Sequence, residues 1–424
     1  MKISKKHINQ PDEAFVWIWL EDSLEPVVAG RLESHNGSYI FNYGKSYLEL
    51  SLTDKKYIPI YLPELPLSRG EISLQPGLHM PGCIRDASPD AWGRRVLLNR
   101  KFGSKAKSYD TVMIDELTYL LESGSDRIGC LDFQSSPTHY IPRFSVSQDL
   151  EEIIESVKRV EDGLPLSQEL DLALFHGTSI GGARPKALIE WNERKLIAKF
   201  SSASDIYSVV KSEFIAMKLA EISGIKVAKV YLQKILNKDV LLIERFDRYK
   251  VGLGWARKSL VSALTLFGLD EMMARYTSYE QLAEIIRFRF IKPKATLEEL
   301  FKRLILNVLV GNTDDHARNH AAFWDGKQLE LTPAYDICPQ PRSGNEVSQA
   351  MLIHKNNRES KLSTCLKAAP QFLLSTQKAK DLIQTIKSSI EKNWNDVCDE
   401  AELSKIDRNI FWKRQFLNPY SNDV

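Results

Sequence analysis

The first hundred residues alternate short apolar runs with turn-forming residues. FVWIWL (15–20), EPVVAGRL (25–32), GSYIFNYG (37–44) and YLELSL (47–52) are rich in Val, Ile, Tyr, Phe and Trp and are punctuated by Gly, Asn and Asp, which predicts β-strands. At DASPDAWGRRVLLNR (86–100) the spacing becomes helical, behind a capping Asp or Ser and a Pro near the first turn. A second helix is predicted over 143–160. From 177 to 250 the pattern reads strand, strand, helix, strand. KALIEW and KLIAKF flank NERK as a hairpin. DIYSVVKSEFIAMKLAEISG (205–224) repeats Val210, Phe214, Met217 and Ala220 at helical spacing and ends at Gly224. VAKVYLQKIL and DVLLIERFD form a second strand pair around NK. Beyond about 255 the signals are nearly all helical, except around 323–337, where AAFWD and QLELTPAYD suggest a hairpin around GK.

Composition narrows the class. The 424 residues are 43% hydrophobic, enough for two domains or one large two-lobed one. A net charge of +2 does not advertise a polyanion binder. Five scattered Cys, without metal-like spacing, read as reduced thiols. No apolar run approaches the roughly 20 residues of a membrane helix, and MKISKKHINQPDEAF lacks a signal-peptide core. The expectation is a soluble, cytoplasmic protein.

LVGNTDDHARNHAAF (309–323) sets two Asp, two His, an Arg and two Asn against the end of an apolar helix. Asp314 and Asn319 stand five residues apart, and Asp336 follows in LTPAYDICP. Phosphoryl transfer uses such a set: an Asp to take the acceptor's proton, and an Asn amide oxygen and a second carboxylate to hold Mg²⁺. A polar loop with Asx turns and a helix cap has the same composition. Three further features favour the chemistry. GTSIGGARPKALI (177–189) offers a Gly-rich turn and Lys186 ahead of a strand, although it is not a Walker A loop, and a tight turn with surface Lys and Arg reads the same way. Lys199 lies within a half-buried strand and needs a partner, for which Glu213 on the following helix is placed; an edge strand with a solvated Lys is the competing reading. VLLIERFDR (240–248) ends a strand where backbone groups could meet an adenine edge, or where Arg and Asp simply pair. Gly-rich turn, strand Lys, helix Glu, connecting strand, Asp–Asn and metal Asp follow one another in protein-kinase order.

SIGGARPKA (179–187), IERFDR (243–248), GNTDDHARNHA (311–321) and LTPAYDI (331–337), with RDASPDAWGRR (85–95), resemble the HipA family of serine/threonine kinases, the toxin halves of bacterial toxin–antitoxin modules. The resemblance implies a two-lobed α+β fold with a mixed, β-rich N-terminal half and an all-helical C-terminal half. The expected parts are a β-rich subdomain (1–110), a nucleotide-binding lobe (111–250) and a helical catalytic domain (251–424). It implies ATP- and Mg²⁺-dependent phosphorylation of a cellular protein, an aminoacyl-tRNA synthetase in the best-studied members. A HipB-like DNA-binding antitoxin is the expected partner, with DNA met only through it. Residue by residue, Asp314 would be the base, and Asn319 and Asp336 the Mg²⁺ ligands. Lys199, held by Glu213, would contact phosphates. Residues 181–186, with Gly181, Gly182, Ala183, Arg184 and Lys186, would form the phosphate loop, and Ser179 and Ile180 would bind the nucleotide beside it. Glu244 and Phe246 would meet adenine, and His316 and Tyr335 would flank the nucleotide. Ser179 would be the autophosphorylation site, with Thr178 a rival acceptor.

The chain departs from the best-known members in three places. Arg184-Pro185 replaces a Gln-Glu before the loop Lys. The stretch from loop to Lys199 is short, which leaves the target open. Asp315 stands where a small residue is common; it reads as a second metal contact or as facing solvent, and solvent is favoured. Two other readings compete. The DDHARN loop also resembles those of lipid kinases, so a small molecule or lipid headgroup could be the acceptor, although no basic amphipathic stretch favours a membrane. A non-catalytic nucleotide-binding regulator is the other, disfavoured by retention of Lys199, Asp314, Asn319 and Asp336 together.

Overall fold

The computed structural model describes residues 11–103, 105, 110, 111, 114–144, 150–166, 184–202, 205–342 and 344–424. They divide into two packed units: Met1–Ala198 with Asp247–Leu260, and Lys199–Phe246 with Val261–Val424. These boundaries fall at other points than the three-part division expected from the sequence. The fold is α+β, as expected.

In the first unit, β1 (Glu13–Ile18), β2 (Val27–His35), β3 (Ser38–Tyr43) and β4 (Leu131–Gln134) form an antiparallel sheet in the order β3-β2-β1-β4. Val16, Ile18, Leu32, Phe41 and Phe133 are buried, the alternation expected of a sheet with a core face. Gly30 of β2 faces Tyr43 of β3, and a Cβ there would stand 2.1 Å from the Asn42 carbonyl oxygen, so no other residue fits. One expected strand is a helix. YLELSL lies largely in the helical turn Lys45–Ser51, where Leu, Glu and Lys are better helix than strand formers and Lys45 pairs with Glu49 one turn on. Leu50 and Leu52, whose alternation suggested a strand, are exposed.

Helices α1 (Ala91–Phe102) and α2 (Glu116–Glu122) flank the sheet. Arg94 of α1 makes two bonds to Glu116, of 2.6 and 2.8 Å, and lies over the Tyr119 ring. The helix expected over 143–160 is described as α3 (Leu150–Asp162). A buried charge network joins 126–143 to 247–248. Arg127 and Arg143 hold Asp132, and Arg248 holds Asp126 and Asp247. Within IERFDR, Asp247 also accepts the Gly129 N–H at 2.8 Å, so the last two residues of that motif serve the framework. Strands β5 (Lys186–Trp191) and β6 (Arg194–Phe200) turn at Asn192-Glu193, both at positive φ, the backbone of a two-residue hairpin.

In the second unit, helix α4 (Val209–Ile222) packs on β7 (Val230–Ile235) and β8 (Lys238–Glu244), which are antiparallel. Their turn is Leu236-Asn237, one residue before the expected NK. Helices α5 (Tyr279–Arg289), α6 (Pro293–Val310) and α7 (Thr376–Glu400) form the helical body. The centre is α6, whose Leu297, Leu300, Phe301, Leu304, Ile305 and Val308 are fully buried. Beyond it, β9 (Ala321–Trp324) and β10 (Leu329–Leu331) form the expected hairpin, and Asp336 lies past its second strand.

Candidate active site

The site begins where α6 stops. Gly311 adopts φ 70° at the helix end and donates its N–H to the Asn307 carbonyl; a Cβ on it would stand 2.7 Å from the Gln415 carbonyl oxygen. The chain then turns into residues 312–320. Asp314 is exposed, whereas Asn312, Asp315, Asn319 and His320 are buried. Asn319 closes a short 3₁₀ turn with its N–H on the His316 carbonyl, and its side-chain Nδ2 donates to the Asp314 carbonyl at 3.3 Å.

Asp315 does not face solvent, contrary to expectation. It accepts a hydrogen bond from the Tyr279 hydroxyl and faces His320 Nε2 at 2.9 Å, both buried. Asn307 donates to Tyr279, and Asn312 to the Asn307 amide oxygen at 3.0 Å. Burial alone would push the Asp315 carboxyl up, but His320 and Tyr279 hold it below its usual range. The carboxylate that follows Asp314 is therefore an anchor of the loop from beneath. Tyr279, His320, Asn307 and Asn312 were not foreseen. Asn307, Asn312 and His320 lie within a few residues of the loop, and the packing of α5 against α6 brings Tyr279 to them.

Asp336 is positioned from the other side. Ala334 pairs with Lys226 and Ala228 through its backbone, and buried Arg303 of α6 donates to the Thr332 carbonyl at 2.8 Å. Asp336 itself takes φ 58°, a left-handed conformation that Asp tolerates and that is often found at functional sites. Lys199, at the end of β6, makes a 2.6 Å ion pair with Glu213 of α4 and a second with Asp336. Burial would lower the Lys199 ammonium, but Asp336 and Glu213 together raise it well above its ordinary value, so it stays charged. Asp314 titrates high. Partial burial pushes its carboxyl above the ordinary Asp range, His316 pulls it back, and Asp336 and Asp315 push it up again.

Phe246 packs against Tyr335 and Phe323, with ring centroids 5.6 and 5.9 Å apart. The Tyr335 hydroxyl donates to the Arg318 carbonyl at 2.7 Å, joining that cluster to the loop. Glu244 accepts from the Tyr231 hydroxyl across the β7–β8 pair. Lys199, Glu213, Glu244, Phe246, Asp314, His316, Asn319, Tyr335 and Asp336 thus belong to one unit. Arg184 and Lys186 belong to the other, where buried Trp92 of the RDASPDAWGRR stretch donates its indole N–H to the Lys186 carbonyl at 3.2 Å. Thr178, Ser179, Ile180, Gly181, Gly182 and Ala183 lie outside the described residues.

The donor set suits a divalent cation. Asn319 commits its Nδ2 to the loop, which leaves the amide oxygen as the atom to offer a metal. Asp314 is raised partly by the charge of Asp336, a repulsion that a cation would relieve. Mg²⁺ bound with phosphates is commonly held by one or two protein ligands, and Asn319 and Asp336 are of the right chemistry for it.

The chain is similar to known proteins in sequence and in fold. The chain is 24% identical to the serine/threonine-protein kinase toxin HipA of Shewanella oneidensis over 210 residues, 43% of this chain and 48% of that protein. It is 31% identical to a putative kinase of Haemophilus influenzae over 120 residues, 26% of this chain and 34% of that one. These alignments span about half or less of the curated relatives' length. The fold matches HipA in the Shewanella oneidensis complex of HipA, HipB and operator DNA with a TM-score of 0.65 and 18% identity, over 94% of this chain and 93% of that one. The family model of the HipA-like C-terminal domain matches residues 178–394, just over half of the sequence, and the chain belongs to the HipA family.

Proposed function

We propose that the protein is an ATP- and Mg²⁺-dependent serine/threonine-protein kinase, the toxin of a toxin–antitoxin module. The observation that carries this reading is Lys199 held between Glu213 and Asp336, with Asp314 and Asn319 on the loop beside them. Lys199 offers a permanent positive charge to nucleotide phosphates, and Glu213 fixes its direction. Asn319 and Asp336 would hold Mg²⁺, which supplies charge neutralisation of the phosphates when bound. Asp314, exposed on the loop, receives the proton of the acceptor hydroxyl. Phe246 and Tyr335 offer an aromatic wall to adenine beside the end of β8, with Glu244 and His316 at its margins.

Residues 181–186 act as a phosphate loop in this reading, and Ser179, or Thr178 next to it, accepts phosphate from the enzyme itself. A phosphate there would carry close to two negative charges where nucleotide phosphates bind, and would switch the enzyme off. The acceptor in the cell is a protein, with an aminoacyl-tRNA synthetase as the first candidate. The structural relative crystallised with HipB and operator DNA supports a HipB-like antitoxin as partner.

Two single substitutions test the assignment. Asp314→Asn is expected to abolish phosphate transfer while leaving Mg²⁺–nucleotide affinity within a few-fold of wild type. Asp336→Asn is expected to weaken that affinity itself by titration calorimetry. Equal residual transfer in both would contradict these roles.

A further inference from the structure

Asp314 and Asn319 each stand beside one half of a buried pair. Asp315 follows the first and His320 the second, and both are only 3% exposed. His320 Nε2 lies 2.9 Å from Asp315 Oδ2, so the contact bridges the two ends of the segment 315–320. Asp315 is held ionised, and an ionised carboxylate only accepts, so Nε2 carries the hydrogen and donates. The other ring nitrogen, Nδ1, is buried and has no hydrogen-bond partner among the described residues. The Asp315 contact is thus the polar bond that sets the ring, which stands edge-on to Tyr279 at 5.5 Å.

The ends of the loop are pinned separately. The His320 carbonyl accepts the Ala263 N–H at 2.7 Å, and His320 leads directly into β9, whose Ala321 carbonyl accepts from Thr332. Ahead of Asp314, the Thr313 carbonyl accepts the Ala350 N–H at 2.9 Å. Between these pins the chain carries the exposed Asp314 and the amide of Asn319. Consecutive Cα atoms are about 3.8 Å apart, so a shift of Asp315 passes to Asp314 and a shift of His320 passes to Asn319. Tyr279 holds Asp315 from α5, but the bond to His320 is the one that fixes the distance across the loop itself.

We propose that the Asp315–His320 pair sets the span between the Asp314 carboxylate and the Asn319 amide, which makes His320 a positioning residue for phosphate transfer. The inference rests on the kinase reading of Asp314 and Asn319. His320→Phe removes the donor but keeps a ring against Tyr279, and His320→Gln returns a donor. ADP affinity is measured by titration calorimetry in EDTA and in Mn²⁺, beside the rate of transfer from ATP. In His320→Phe, affinity in EDTA is expected to stay unchanged, because Lys199 is held from elsewhere. The gain in affinity given by Mn²⁺ and the kcat are each expected to fall about tenfold, and His320→Gln should recover most of both. Adding Asp315→Asn to His320→Phe neutralises the carboxylate that lost its donor, so the melting temperature should recover while both losses persist. Recovery of the Mn²⁺ gain and kcat along with the melting temperature would show a merely structural pair and overturn the proposal. So would an Mn²⁺ gain and kcat that His320→Phe leaves unchanged, a result that spares the kinase reading. An Mn²⁺ gain that depends on His320, in a wild type that transfers no phosphate, would count against the kinase reading and leave the positioning of Asn319 standing.

Discussion

At the scale of residues, the site is governed by how carboxylates are partnered. Lys199 and Glu213 are both buried, so removing Lys199 takes the pairing cation away from a buried carboxylate. Lys199→Met is expected to destabilise the fold by about 3–5 kcal/mol in urea unfolding, and pairing it with Glu213→Leu should recover most of that loss. Asp314 behaves oppositely. Its carboxyl is raised in the folded state, so its stabilising contribution is present at low pH and is lost as pH rises through the folded pKa. Asp314→Asn should therefore raise the neutral-pH melting temperature while ending catalysis, a trade expected of a catalytic group. A melting temperature unchanged or lowered would contradict that assignment of charge. The Lys199–Glu213 pair was legible because a Lys inside an apolar strand demands an anion and the next helix supplied one. Asp315 was misread because its neighbour in sequence faces solvent, and of its two partners only His320 is close in the chain, while Tyr279 comes from another helix.

At the scale of elements, the loop is held at both ends by features unrelated to its motif. Gly311 combines positive φ with contact against Gln415, so Gly311→Ala is expected to cost about 1–3 kcal/mol and to lower transfer by displacing Asp314. Tyr279→Phe deletes a donor to a buried carboxylate, at a cost of about 1–3 kcal/mol. Its effect should appear in kcat more than in nucleotide KM, since Lys199 and Asp336 are supported from elsewhere; a loss confined to KM would contradict the anchoring role. Hairpins and long helices were readable from period and turn residues, because those signals are local. The strand expected at 47–52 failed because two exposed Leu imitate alternation within a single helical turn.

At the scale of the whole molecule, the kinase order of parts was readable, but the two packed units were not. The chain passes between them at Ala198–Lys199, Phe246–Asp247 and Leu260–Val261, inside or beside strands, where composition does not change. Trp92 and the Arg127–Asp132 and Arg248–Asp126 pairs show why the early motifs carried no visible chemistry. They build the frame of the first unit, and Trp92 fixes the backbone of Lys186. The central claim is that these parts transfer phosphate to protein. The most direct measurement is intact-mass and phosphopeptide analysis after incubation with Mg²⁺ and ATP, beside Asp314→Asn, with a lysate added as a source of acceptor proteins. The account predicts phosphate on Ser179 or Thr178, or on a lysate protein, in the wild type alone. Bound nucleotide with no phosphate transferred to either, or equal transfer by Asp314→Asn, would contradict it.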